Sequence, residues 1–218
     1  MSKGCIPIHQ DFSAYRVLAI GAHPDDVEHG CGGTLIKLAR QKADISLCIV
    51  TDGSAGAAAE IRQKEQSCAA EILGVNKVFW GGVKDTQVSL SKNLIDRLDT
   101  IIAEVKPTEV YVNWPEDTHQ DHMNLARAAM VAARYVKRVI FYEAYTSQNF
   151  SPDCFVDITP VLDEKIELMK CHQSQVKKPS PAHIDMIESM QAVARFRGFQ
   201  GNVQYAEGFK LLRFLRGI

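Results

Sequence analysis

No stretch of about 18 consecutive apolar residues occurs in the sequence, so a membrane-spanning helix is not expected. The opening MSKGCIPIHQDF lacks the apolar centre of a signal peptide. Neither sign of charge is in excess: 25 Lys and Arg face 26 Asp and Glu, for a net charge of -1. Basic residues are not gathered in one segment either, so binding to nucleic acid or to an anionic membrane has no electrostatic support. Cysteine is sparse. Cys5, Cys31, Cys48, Cys68, Cys154 and Cys171 are scattered without a CxxC pair. Cys48 sits in a strand-like run and Cys68 in a helix-like one, as small buried residues do. A disulfide framework is therefore not expected, and the usage fits a reduced, cytoplasmic protein. The GxGxxG dinucleotide fingerprint and the zinc-peptidase HExxH are both missing.

What is present is an ordinary globular composition, 46% hydrophobic and 23% charged over 218 residues. Short apolar runs alternate with longer helical patterns. Strands are expected at 16–21 (RVLAIG), 45–51 (ISLCIVT), 77–80 and 109–114 (EVYVNW). Helices are expected at about 34–41, 57–73, 94–105 and 125–135, with Gly74 as a C-cap and Pro107 ending the third. Beyond a fifth strand at 139–142 the pattern loosens. Candidates there are a strand at 155–158, helices at 161–172 and about 184–196, a Pro/Lys/Ser loop at 177–182 and an apolar segment at 208–215. Alternating strands and helices imply βαβ units. The expected fold is α/β, a Rossmann-like three-layer αβα architecture with a mainly parallel sheet, in one domain spanning 1–218.

The chemistry-bearing residues gather in two loops, each just after an expected strand. His23, Asp25 and Asp26 lie in AHPDD, and His119, Asp121 and His122 lie in HQDH. Open parallel sheets bind ligands outside the carboxyl ends of their strands, so the two loops can share one end of the sheet. Pro24 stiffens the first turn. Adjacent carboxylates beside an imidazole repel each other, and a divalent cation relieves that repulsion. His23, Asp26 and His122 would make a His₂Asp set that leaves a coordination position open. Taken alone, HPDD is equally an ordinary turn with an N-capping Asp, and HQDH a solvated capped loop. Their joint placement after two strands is what favours a site.

These residues belong to a wider pattern. GAHPDDVEHGCGGTL, TDG at 51–53, Arg62 and Glu65 in RQKE, HQDH, HQSQ at 172–175 and YAEGF at 205–209 together resemble the LmbE/PIG-L deacetylases, in family order along nearly the whole chain. The resemblance implies a zinc-dependent enzyme that removes N-acetyl groups, chiefly from N-acetylglucosamine conjugates. It implies zinc on His23, Asp26 and His122, and Asp25 as the general base toward metal-activated water. His119 would stabilise or protonate the tetrahedral intermediate, with Asp121 holding its ring, and Arg62 would contact the substrate sugar. His29 departs from the family, which usually has an aliphatic residue there, and is read as packing or as support behind the metal loop rather than as a ligand.

Several readings stay open on sequence. A His₂Asp site accepts Fe²⁺ or Co²⁺ as well as Zn²⁺. Glu28 either orients a ligand or favours a helix N-terminus. Arg62 and Glu65 are otherwise a solvated pair on one helix face. His172, Ser174 and Gln175 either reach the site or cap a helix, and Trp114 is read as core rather than as a sugar platform. The expected partner is a small N-acetylated sugar, with no nucleic acid and no membrane insertion, while a homo-oligomer stays open. A non-catalytic metal- or sugar-binding protein and a metal-dependent hydrolase of another bond are the alternatives. Specificity is expected from the loops after Tyr142 and at 177–182.

Overall fold

Five of the expected strands form one parallel run. The computed structural model describes residues 15–178 and 185–215. In chain order these residues form β1 (Arg16–Gly21), α1 (Asp26–Arg40), β2 (Asp44–Thr51), α2 (Ala59–Leu73), β3 (Lys77–Val83), α3 (Lys92–Val105), β4 (Glu109–Asn113), α4 (Gln120–Ala132) and β5 (Arg138–Tyr142). There follow β6 (Cys154–Asp157), a 3₁₀ turn (Thr159–Val161), α5 (Leu162–Cys171), α6 (Gln173–Val176), α7 (Met186–Gln200) and β7 (Ala206–Phe214). The sheet order is β3-β2-β1-β4-β5-β7-β6. Strands β1 to β5 are mutually parallel, and β7 is antiparallel to both β5 and β6.

Alternation along the strands explains the layers. Val17 and Ala19 of β1 face α1, α2 and α5 together with Leu47, Tyr111 and Ile140. Leu18 and Ile20 face α3 and α4 with Cys48, Val110 and Phe141. A sheet covered on both faces is what continuous apolar strands require, and the three-layer α/β expectation holds.

Two helices begin earlier than the sequence suggests. Helix α1 starts at Asp26 rather than near 34, and α4 at Gln120 rather than near 125. In α1 the glycines read as a loop on propensity, but tertiary packing overrides that preference. A Cβ at Gly30 would overlap the Tyr142 ring, and one at Gly33 would stand 2.8 Å from Ile158 Cγ2. The helix also meets buried side chains here. Glu207 of β7 accepts from the amides of Gly33 (2.8 Å) and Thr34 (2.7 Å), while Lys165 Nζ donates to the His29 carbonyl (2.6 Å) and to Glu207 (2.5 Å).

The cysteine expectation needs correction. Cys68 on α2 and Cys171 at the end of α5 form a disulfide, with Cα atoms 5.9 Å apart and a separation of 103 positions in sequence. Cys68 is exposed, not buried. Cys31, Cys48 and Cys154 are free, and Cys5 lies outside the described residues. The pairing left no trace in spacing because it arises only from the packing of α2 on α5. Among the described residues no helix is long and apolar enough to cross a membrane.

Candidate metal centre

The sheet order reverses between β1 and β4, which are neighbours yet lead to helices on opposite faces. That crevice is where open α/β sheets bind ligands, and both polar loops open into it. The turn after β1 is tight: His23 N donates to Asp26 Oδ2 at 2.9 Å, and Asp25 caps α1 at φ 100°. A non-glycine residue in that region is strained, which is characteristic of functional sites. After β4, His119 caps α4 and places His122 one turn later on its buried face.

The structure brings His23, Asp26 and His122 together. One carboxylate lies between two imidazoles: Asp26 Oδ1 is 3.2 Å from His122 Nε2, and Asp26 Oδ2 is 3.5 Å from His23 Nδ1. Two further three-donor groups overlap this set. They are His23, His119 and His122, and His23, Asp85 and Asp121, each with its ligand atoms within 4.8 Å of one another. Buried imidazoles and carboxylates packed this closely suit a divalent cation.

Electrostatics follow from these contacts. Burial opposes charge on His23, but hydrogen bonds to Asp121, Asp26 and Asp85 push its pKa up to about 12. Burial likewise opposes charge on His122, and Asp26 and Asp117 carry it up to about 10. Asp26 is held well below the usual carboxylate range despite burial, by His122 and His23. Asp25 goes the other way, raised by burial against the pull of the Arg62 guanidinium.

His119 is half-buried at the cleft, its ring stacked on His122 at 4.8 Å between centroids. Burial, His23 and His122 lower its pKa. Its Nδ1 accepts from the backbone N–H of Asp121 at 3.2 Å. A neutral imidazole that accepts at Nδ1 carries its hydrogen on Nε2, so His119 offers an N–H donor. The expectation that the Asp121 carboxylate holds this ring is corrected by its contacts. That carboxylate lies 3.2 Å from His23 Nε2 and accepts from the amides of Thr86 (2.8 Å) and Val88 (3.2 Å). The N-cap geometry of α4 turns it toward β1 and the loop after β3.

Arg62 and Glu65 are not a solvated pair: they are 2% and 8% exposed. Arg62 sits 3.1 Å from Asp25 Oδ2, donates to the Pro24 carbonyl and is 3.1 Å from Glu65 Oε2. Glu65 in turn accepts from the Ser174 amide (2.6 Å) and hydroxyl (2.7 Å), which ties α2 to the HQSQ segment. His172 is fully buried with its Nε2 3.4 Å from Glu28 Oε2, and Glu28 accepts from Gln66 at 2.6 Å. Glu28 therefore serves this buried cluster. Trp114 packs edge-on against Phe141 and Phe150, away from the cleft.

Two residues escaped the sequence reading. Asp85, in the turn after β3, reaches His23 Nε2 at 3.1 Å. Asp117 accepts from the His119 amide at 2.8 Å and lies 3.1 Å from His122 Nδ1. A lone carboxylate in a polar turn has no distinguishing pattern, although both follow strands that end at the same crevice. The cleft itself encloses about 330 Å³ and is lined by His23, Asp25, Asp26, His119 and His122 among others. Tyr145 and Thr146 reach it from the loop after β5, and Gln175 and Lys178 from α6 and beyond. The rest of the 177–182 loop lies outside the described residues.

Comparison with known proteins now bears on this geometry. Residues 18–133, from β1 through α4, match the PIG-L family, described as GlcNAc-PI de-N-acetylase. The chain belongs to that family. The matched PIG-L region contains both histidine loops and Arg62. Among PIG-L relatives, the uncharacterized deacetylase YaiS of Escherichia coli is 35% identical over 72% of this chain and 90% of its own length. A diacetylchitobiose deacetylase of Thermococcus kodakarensis is 29% identical over 100% of this chain and 90% of its own. In fold, the solved N,N'-diacetylchitobiose deacetylase of Pyrococcus horikoshii superposes with a TM-score of 0.81 at 26% identity, over 93% of this chain and 85% of that one.

Proposed function

We propose that this protein is a metal-dependent N-deacetylase acting on a small N-acetylated amino sugar or its conjugate. The observation that carries the reading is the Asp26 carboxylate set between His23 and His122, with Asp25 beside it under Arg62. The names of the PIG-L relatives support the substrate class.

His23, Asp26 and His122 would hold the cation, zinc or in its place Fe²⁺ or Co²⁺. When bound, a divalent cation supplies Lewis acidity toward the acetyl carbonyl and lowers the pKa of water to about 7. Asp25 is the general base: it faces the cleft beside Arg62, and burial raises its pKa against the pull of that guanidinium, which strengthens it as a proton acceptor. His119 offers its Nε2–H as a hydrogen bond to the oxygen on which negative charge develops, and the proton that Asp25 takes from water is the one available to the departing amine. Asp121 acts at one remove, fixing the His119 tautomer through its amide and steadying His23 through its carboxylate. Arg62 lines the same cleft, where it orients Asp25 and can meet the substrate.

The test is acetate release by zinc-replete protein from a panel of N-acetylated sugars, with and without a chelator. Release that the chelator abolishes is expected. Asp25→Ala should keep its zinc and lose about 10²–10⁴ in turnover. Zinc-replete protein that binds these sugars without releasing acetate would instead be a binding protein. Undiminished turnover in Asp25→Ala would remove that residue from the mechanism.

A further inference from the structure

The cleft has an aromatic wall that the chemistry above does not use. Tyr145 is 48% exposed and lines the same cleft as His23, His119 and His122. Its position is fixed from two sides. The turn that carries it is closed by Ser147 N donating to the Ala144 carbonyl (3.1 Å) and by the Ala144 amide donating to Ser147 Oγ (2.9 Å). Ser147 Oγ then donates to Asp117 Oδ2 at 3.1 Å, the same oxygen that lies 3.1 Å from His122 Nδ1. One carboxylate thus sets the Tyr145 turn in register with the metal loop.

From behind, the His29 ring meets Tyr145 edge to face, at 4.4 Å between centroids and 79° between planes. Among the described residues neither buried His29 nitrogen makes a hydrogen bond of normal geometry, and the ring packs against Tyr145. It also borders a cavity of about 20 Å³, room for about one water. The Tyr145 hydroxyl reaches only Met186 Sδ, at 3.9 Å. The ring, not the hydroxyl, is what the surroundings hold in place.

A pyranose presents an apolar C–H face and a polar rim. A rigid aromatic ring with an apolar face and one polar tip matches such an amphipathic ligand. The cleft volume of about 330 Å³ lies at the small end of the roughly 300–1,000 Å³ typical of small-molecule pockets, a size that suits one sugar unit beside the reacting amide. We propose that Tyr145, backed by His29 and registered through Asp117, is the platform for the sugar ring and selects N-acetylated sugars over acyclic acetamides. This rests on the deacetylase reading for its substrate class.

The experiment measures calorimetric Kd values of zinc-loaded protein for N-acetylglucosamine and N-acetylethanolamine, in wild type, Tyr145→Phe and Tyr145→Ala. Wild type should prefer the sugar, and Tyr145→Phe should keep that preference. Tyr145→Ala should weaken sugar binding about three- to tenfold and leave the acyclic compound unchanged. That unchanged affinity certifies an intact site. Equal weakening of both ligands, an unaltered preference in Tyr145→Ala, or a wild type that binds both alike overturns the platform. Acetate release is followed in parallel. Release with an unaltered preference removes the platform alone, whereas loss of preference without release from either compound leaves the platform and removes the deacetylase.

Discussion

His23 and His122 face opposite demands with and without a cation. In the cation-free protein, carboxylate contacts outweigh burial and hold both protonated, His23 up to about 12 and His122 up to about 10. A metal ligand must be neutral, so binding has to expel those protons. A raised pKa means the competing proton is held throughout the neutral range, so cation affinity must rise with pH, through the His122 proton up to about 10 and through the His23 proton up to about 12. We expect zinc binding at pH 7 to release about two protons, read by calorimetry in buffers of different ionisation enthalpy. His122→Ala should release fewer and bind zinc far more weakly. Binding with no proton release would remove the imidazoles from the ligand set. His23, Asp25, Asp26, His119 and His122 were legible in the sequence because each falls just past an apolar strand. Asp85 and Asp117 were not, since a single turn carboxylate looks alike whether it faces solvent or an imidazole. The burial of Arg62 was equally hidden, because helix spacing gives a pair but not the neighbours that cover it.

Helix α1 carries the loop of His23 and Asp26 onto the sheet, and its glycines set how closely it can lie. At Gly30 a methyl group would meet the Tyr142 ring. That ring cannot easily yield, since its hydroxyl donates to the Ile20 carbonyl at 2.8 Å and stands 3.1 Å from Asn113 Oδ1. Gly30→Ala should cost about 1–3 kcal/mol in denaturant unfolding through overpacking. Gly32 is the internal control. Its nearest neighbour would be Leu168 Cδ1 at 3.4 Å, so Gly32→Ala should be neutral or slightly stabilising through helix propensity. Equal losses in the two variants would show that close packing at Gly30 is not what matters. The parallel strands were readable from continuous apolar runs, and β1 was placed to the residue. The start of α1 was misread because three glycines in four residues signal a loop unless the opposing surface is known.

Across the molecule, the Cys68–Cys171 bond joins α2, which carries Arg62, to α5 just before His172. A disulfide typically stabilises by about 2–4 kcal/mol. Reductant should therefore lower the thermal midpoint of the wild type, while Cys68→Ser should start lower and not respond. Equal midpoints for oxidised and reduced wild type would make the link thermodynamically silent. The βαβ frame was legible from alternation, but the placement of β7 between β5 and β6 was not, because an antiparallel insertion leaves no mark in local pattern. That placement governs the order in which the fold can close during synthesis. β6 is made well before 206–214, yet it joins the sheet only through that strand. Until Glu207 emerges, Lys165 has no counter-ion and the amides of Gly33 and Thr34 lack their acceptor. A nascent chain that has reached only α7 thus holds an open edge on β5 and an unmatched interior charge, and β7 is the strand that seals it.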